Sequence, residues 1–295
     1  MYLELKGSLG YQHFEKIVQL VTCKDNELIL DLSGITFIEP YGIVGLISAA
    51  RYCRGKDISL KINLPQSLSL QRYLTVMNFF EEMRKYQHVS QGFFGFFNNF
   101  KKTDKPLLEL RKLEFQLGNF ENIINFTELL DKRMEMMFEG VDAGTTSKQI
   151  TTNLIEVCQN LEHSLDFGYV AAQKYKNPLT IQIAVMDLGI GFRGALEEQY
   201  NKKGEKLTDR RAIELALKPE ISSRPTGGGH GLYRLSMYVK QNAGSELIIR
   251  TGTARCHLKH SGMRFEEGLA FYPGTQVGVS LRPFIEKTDN LLDRK

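Results

Sequence analysis

Leu28-Ile29-Leu30-Asp31-Leu32 is a compact apolar run closed by Ser33-Gly34, and such a run suits a buried central strand. Its neighbours alternate around it. Residues 2–5 read as a short strand, 11–21 carry helical periodicity, and 42–52 are apolar and small, as a helix packed on a sheet requires. Residues 58–62 read as a further strand and 69–83 as a further helix. Alternating β and α elements of this length predict an α/β layer whose helices cover the sheet.

Composition narrows the class. A length of 295 residues predicts about two domains, and 42% apolar with 24% charged residues is the balance of a soluble globular chain with a full core. A net charge of +4 without a basic cluster gives no expectation of nucleic acid. The four cysteines, Cys23, Cys53, Cys158 and Cys256, form no CxxC pair, so a reducing cytoplasm is expected. No apolar run approaches the roughly 18 residues of a membrane span, and Met1 to Lys6 lack the form of a signal peptide. No membrane association is expected.

Residues 91–100 pack five phenylalanines into positions 93–100 before Lys101 to Pro106 turn polar; this stretch reads as a connector at an interdomain seam. Beyond it, 107–116 predict a strand and 119–138 a helix with Ile123, Ile124, Phe126, Leu129, Leu130, Met134 and Met137 facing inward. Asp142-Ala143-Gly144 breaks that helix, and the next, over 145–165, has two contrasting faces. Leu154, Cys158, Leu161 and Leu165 form an apolar stripe; Asn153, Glu156, Asn160 and His163 lie nearly opposite. Taken alone, that polar face suits solvent as well as a ligand. It does offer a carboxylate able to take a proton and an amide oxygen able to ligate a hard cation.

Three later segments bear on that choice. After a connector ending Lys176-Asn177-Pro178, residues 179–186 predict a strand running into Asp187-Leu188-Gly189-Ile190-Gly191, where glycines permit close approach of a ligand to backbone. Gly227-Gly228-Gly229-His230-Gly231-Leu232 opens a helix predicted to reach about Asn242, and glycines ahead of a helix N-terminus present backbone N–H groups to phosphate. No GK[ST] follows, so this is not a Walker A loop. Gly274-Thr275 turns into a strand alternating to Leu281. Cys256-His257-Leu258-Lys259-His260 completes no zinc set, so no metal is expected there.

Residues 29–46, Ile-Leu-Asp-Leu-Ser-Gly-Ile-Thr-Phe-Ile-Glu-Pro-Tyr-Gly-Ile-Val-Gly-Leu, resemble the central strand, loop and helix of STAS (anti-anti-sigma) domains. The resemblance implies a STAS-like α/β domain over 1–90. Where phosphorylatable members carry an acceptor serine, this chain has Glu39-Pro40-Tyr41, so a docking or structural module is expected rather than a phosphoacceptor. Pro40 suits a first helical turn, and Tyr41 reads as packing.

The four later segments, in this order, resemble the GHKL (Bergerat-fold, HATPase) family of histidine kinases, gyrase, MutL and anti-sigma serine kinases. Glu156-xxx-Asn160 matches the N box, Asp187 to Gly191 the G1 box, Gly227 to Leu232 the G2 box and Gly274-Thr275 the G3 box. The resemblance implies an α/β sandwich over 107–286 with a mixed sheet and helices on one face, preceded by the connector 91–106 and followed by a tail, 287–295. It implies ATP and Mg²⁺ as cofactors, with Asn160 on the metal and Asp187 on the adenine amino group. Gly189 and Gly191 would let the base pack on backbone, with Thr275 on the same side. Gly227, Gly229, His230, Gly231 and Leu232 would line the phosphate cradle, and Glu156 would act as general base. His163 lies where relatives place a basic residue near phosphate, although a surface histidine fits that position equally. Residues 192–226 would form the lid. Its Lys202, Lys203, Lys206, Arg210, Arg211 and Arg224 face Glu197, Glu198, Glu205, Asp209 and Glu214, with Arg224 a candidate γ-phosphate contact.

Two functions are therefore expected. One is a partner-switching regulator resembling the anti-sigma serine/threonine kinases, with the STAS-like module docking a protein partner. The alternative is a nucleotide-gated protein-binding switch with slow or no hydrolysis. A sensor histidine kinase is disfavoured because His13 lacks a dimerisation hairpin, and a gyrase- or MutL-like ATPase because no transducer domain follows residue 285. Many members of the family dimerise, so a homodimer is a further expectation.

Overall fold

The computed structural model describes residues 1–86, 107–114, 120–138, 144–159, 167–202, 204, 206–219, 221 and 230–282. The phenylalanine-rich connector, the C-terminal tail and the predicted helical residues 160–165 lie outside them.

The N-terminal layer has three parallel strands, β1 (Tyr2–Leu9), β2 (Glu27–Ile38) and β3 (Ser59–Asn63), in the order β1-β2-β3. Helices α1 (Tyr11–Val21) and α2 (Pro40–Gly55) are the crossovers that parallel neighbours require. Leu28, Leu30 and Leu32 are buried as the apolar run predicts, whereas Glu27 and Ile29 face out. Pro40 opens α2 with its ring at a position that needs no N–H donor. The single helix expected over 69–83 is instead two, α3 (Leu68–Val76) and α4 (Phe79–Met83), separated at Asn78 with φ +58°. The break frees the Met77 carbonyl, which accepts the Leu110 N–H at 3.0 Å from the next layer.

The second layer is a seven-stranded sheet in the order β4-β5-β6-β10-β7-β8-β9. Its strands are β4 (Leu107–Leu113), β5 (Gly168–Lys176), β6 (Leu179–Asp187), β7 (Glu246–Gly252), β8 (Ala254–Lys259), β9 (Gly262–Glu266) and β10 (Tyr272–Leu281). Every neighbouring pair is antiparallel, so the expected mixed sheet is corrected. Tight turns at Asn177-Pro178, Thr253 and His260-Ser261 reverse the chain within three of these pairs, β5-β6, β7-β8 and β8-β9. Residues 168–176, expected as connector, form β5.

Helices α5 (Phe120–Phe138), α6 (Gly144–Gln159) and α9 (Gly231–Gln241) cover one face. Phe126, Leu130 and Met134 of α5, Leu154 and Cys158 of α6, and Leu232, Leu235 and Val239 of α9 share a core with Val185, Ile249 and Val277 of the sheet. Ile124, expected inward, is exposed, because it falls off the Phe126–Leu130–Met134 stripe. Helices α7 (Gly191–Asn201) and α8 (Asp209–Ala216) stand in the segment read as the lid.

The opposite face is covered too, by the helices of the N-terminal layer. Phe14 of α1 and Ile43, Val44 and Ile47 of α2 share one core with Tyr169, Ala171, Ala184, Met186, Ile248 and Tyr272 of the sheet. Gly278 of β10 lies directly beneath the Tyr41 ring, and Tyr41 stands edge-on to Phe14 at 5.5 Å between centroids. Much of β5 and β6 is thus buried on both sides, which explains why these strands show little polar alternation.

One ion cluster crosses this seam. Arg250 of β7 is fully buried; its Nε donates to Glu15 Oε1 of α1 at 2.9 Å, and Nη2 and Nη1 donate to the Ala270 and Gly252 carbonyls at 2.6 and 3.1 Å. Arg255 reaches the same Glu15 carboxylate at 3.5 Å and Glu266 at 2.7 Å. With its charge matched and its donors used, a buried guanidinium is tolerated here.

Among the described residues no helix is long and apolar enough to cross a membrane.

Candidate functional site

Strand parity places the candidate residues. Asp187 shares a sheet face with Val185, Thr251 with Ile249, and Thr275 with Val277, and these apolar partners all belong to the core under α6 and α9. Three strand ends from distant parts of the chain therefore converge beneath the same helices.

Asp187, at the end of β6, is buried. Its Oδ1 accepts the Gly189 N–H at 2.8 Å, and its Oδ2 accepts the Thr275 N–H at 3.2 Å. The first bond turns the chain off the strand, and the second ties that turn to β10. Both carboxylate oxygens are thus engaged by backbone donors, one from its own turn and one from β10.

The β10 side is a bulge. Tyr272 pairs with Gly252 and Thr275 with Thr251, so Pro273 and Gly274 are extra residues in the ladder. Gly274 adopts φ +76°, and a side chain there would run into the Asp187 carbonyl. The Thr251 hydroxyl donates to the Gly274 carbonyl at 2.9 Å and accepts the Phe192 N–H at 3.3 Å. Gly191, at φ +66°, lies so close that a Cβ would be 2.5 Å from Thr251 Oγ1. Gln276 closes the knot, donating to the Asp187 and Pro273 carbonyls at 3.3 and 2.9 Å.

The helical half is held by Glu156. The His230 backbone N–H, at the start of α9, donates to Glu156 Oε2 at 3.2 Å, and Arg234 Nη1 is 3.9 Å from Oε1. Gly231 makes this approach possible, since a Cβ there would lie 2.7 Å from Glu156 Cβ and 2.8 Å from the Asn153 carbonyl. Leu232 anchors the turn in the core. Asn153 is buried, and its Oδ1 has no partner among the described residues.

The structure therefore groups Asp187, Gly189, Gly191 and Thr275, and separately Glu156, His230, Gly231 and Leu232. Asn160, His163, Arg224, Gly227 and Gly229 lie outside the described residues. Thr251 and Gln276 were not legible as site residues. Thr251 belongs to no glycine motif and reaches Asp187 only through the strand order, whereas Gln276 directly follows Gly274-Thr275.

The segment expected to form a lid is tied to the sheet at α8. Asp209, at the start of α8, accepts both the Thr253 N–H and hydroxyl at 2.8 Å, and Arg193 approaches it at 3.6 Å. Lys202 pairs with Glu198, and Arg210 and Arg211 with Glu214, as an exposed and mutually offset face would. Cys256, His257 and His260 go to separate surroundings. Burial pushes the Cys256 thiol up to about 12, His257 pairs with Glu246 at 2.8 Å, and His260 bonds the Lys240 carbonyl.

The sequence matches no known family model, and no curated protein matches it.

Proposed function

We propose that this chain is an Mg-ATP-binding regulatory protein resembling the anti-sigma-type GHKL serine/threonine kinases. The observation that carries the reading is the Asp187 knot: a buried carboxylate at the end of β6, set between the left-handed turns at Gly191 and Gly274. On this reading the carboxylate would accept the exocyclic N–H of adenine, and the two glycines let the turns that carry it pack tightly together.

The remaining roles follow from position. The N-terminus of α9, with His230, Gly231 and Leu232, turns its positive dipole end toward Glu156 and would receive the phosphates. Magnesium, held by Asn160, would offset phosphate charge. Glu156 would take the proton of the attacking hydroxyl, on water or on a partner protein. In Mg-ATP binding and turnover assays, Glu156→Ala is expected to retain binding and lose turnover; equal turnover by that variant removes Glu156 from the mechanism.

A second reading, a nucleotide-gated protein-binding switch, is favoured by one observation: the Glu156 carboxylate already accepts the His230 N–H. A base engaged in this way suits binding without turnover. On this reading, partner affinity must differ with and without nucleotide. On the first reading Tyr41, at the position where STAS relatives carry their acceptor, is buried against β10 and is not exposed to serve as one.

A further inference from the structure

The seam between the two layers runs directly behind the Asp187 knot. Along each strand, the residue facing α1 and α2 adjoins one that faces the candidate site. Met186 precedes Asp187, Arg250 precedes Thr251, and Tyr272 stands at the foot of the Pro273-Gly274 bulge. Each is held from the N-terminal layer. Met186 packs near Gly45 of α2, and Arg250 is paired with Glu15 of α1. The Tyr272 hydroxyl shares a hydrogen bond of 3.0 Å with Ser48 of α2. Its fully buried ring lies edge-on to Phe14 at 5.7 Å and beside Tyr52 at 5.2 Å.

The bulge is the part this arrangement controls. Two residues looped out of an antiparallel ladder need fixed ends to keep one conformation. On the site side the end is fixed by Thr275 N–H on Asp187 and by Thr251 on the Gly274 carbonyl. On the other side it is fixed by Tyr272, and Tyr272 is held by the N-terminal layer. Arg250 holds β7 in the same way, one residue before Thr251.

We propose that the N-terminal layer is a positioning element for the base seat, with Ser48 acting through Tyr272 and Glu15 through Arg250. Docking of α1 and α2 sets the geometry of Gly274 and Asp187, and hence adenine affinity. By reciprocity, a ligand in the seat tightens that docking. The inference rests on the nucleotide reading and gives the STAS-like module a role inside its own chain.

The test uses the full chain and its Ser48→Ala and Tyr272→Phe variants, with adenosine, Mg-ATP and inorganic tripolyphosphate as probes. Each variant is expected to bind adenosine and Mg-ATP about fivefold more weakly, as loss of one hydrogen bond implies. Tripolyphosphate, which lacks a base, should bind as it does to the unmodified chain, and the double variant should be no weaker than either single one. A merely structural role would weaken all three probes together. Unchanged adenosine and Mg-ATP affinity in both variants would overturn the inference while leaving the nucleotide reading intact. Failure of the unmodified chain to bind Mg-ATP would overturn both. Hydrogen exchange on the unmodified chain needs no variant: saturating Mg-ATP should slow exchange in α1 and α2 as well as at 187–191 and 274–276. Slowing at the site alone would contradict the coupling.

Discussion

Arg250, buried in the middle of the sheet, takes its counter-charge from Glu15, 235 positions away on the first helix, at 2.9 Å. The pair makes the N-terminal layer one wall of the second layer's core. Removing one partner of such a pair leaves a buried charge uncompensated, at about 3–5 kcal/mol. Glu15→Ala should lower the unfolding free energy obtained from urea denaturation by an amount in that range, and Glu15→Leu with Arg250→Met should recover much of it. A loss below about 1 kcal/mol in Glu15→Ala would show that the seam does not depend on the pair.

Gly278 permits the contact between Tyr41 and β10, because a Cβ there would meet the ring. Gly278→Ala should cost about 1–3 kcal/mol through overpacking. Gly55, with nothing within 4 Å of its Cβ position, supplies the control. Gly55→Ala should be neutral or slightly stabilising. Equal denaturation midpoints for the two variants would contradict the described packing of α2 on the sheet.

Glu39 gives the seam a pH dependence. Burial raises its pKa first and the Glu246 charge adds to this, against a lowering by Gln182. A carboxyl raised in the folded state binds protons more readily there than when unfolded. Its penalty is therefore absent below the unfolded value, grows as pH rises toward the folded one, and is complete above it. Glu39→Gln should raise the melting temperature at neutral pH and change it little in acid. A difference that does not vary with pH would show that Glu39 carries no such penalty.

Gly274 is the position at which the proposed base seat is most easily disturbed. Its φ of +76° and the crowding against Asp187 make any side chain a double obstruction. Gly274→Ala should weaken Mg-ATP binding at least about tenfold, while Thr251→Val, which removes one hydroxyl, should weaken it about fivefold. Calorimetric titration separates the two, and unaltered binding by Gly274→Ala would move the seat elsewhere.

The sequence is informative where a pattern reflects a single surface. Leu28, Leu30 and Leu32 face one core, and Leu154 and Cys158 form one stripe, so β2 and α6 are legible. Strand β5 is not, since Val170 and Ala172 face α5 and α6 while Tyr169 and Ala171 face α2, which erases the alternation. Strands β7, β8 and β9 carry no motif that marks them in the sequence. The glycine turns at Asp187 and Gly274 are legible because backbone conformation demands their residue type. Thr251 and the Ser48–Tyr272 bond depend on strand order and layer packing, which no local spacing encodes. Asn78 broke an otherwise convincing helix for a tertiary reason, the Leu110 bond to Met77.

The most direct test is Mg-ATP binding and turnover by the purified chain beside Glu156→Ala, Asn160→Ala and Asp187→Asn. The account predicts saturable binding by the unmodified chain, loss of binding in Asp187→Asn, and binding without turnover in Glu156→Ala. Absence of binding by the unmodified chain, or undiminished binding by Asp187→Asn, would contradict it.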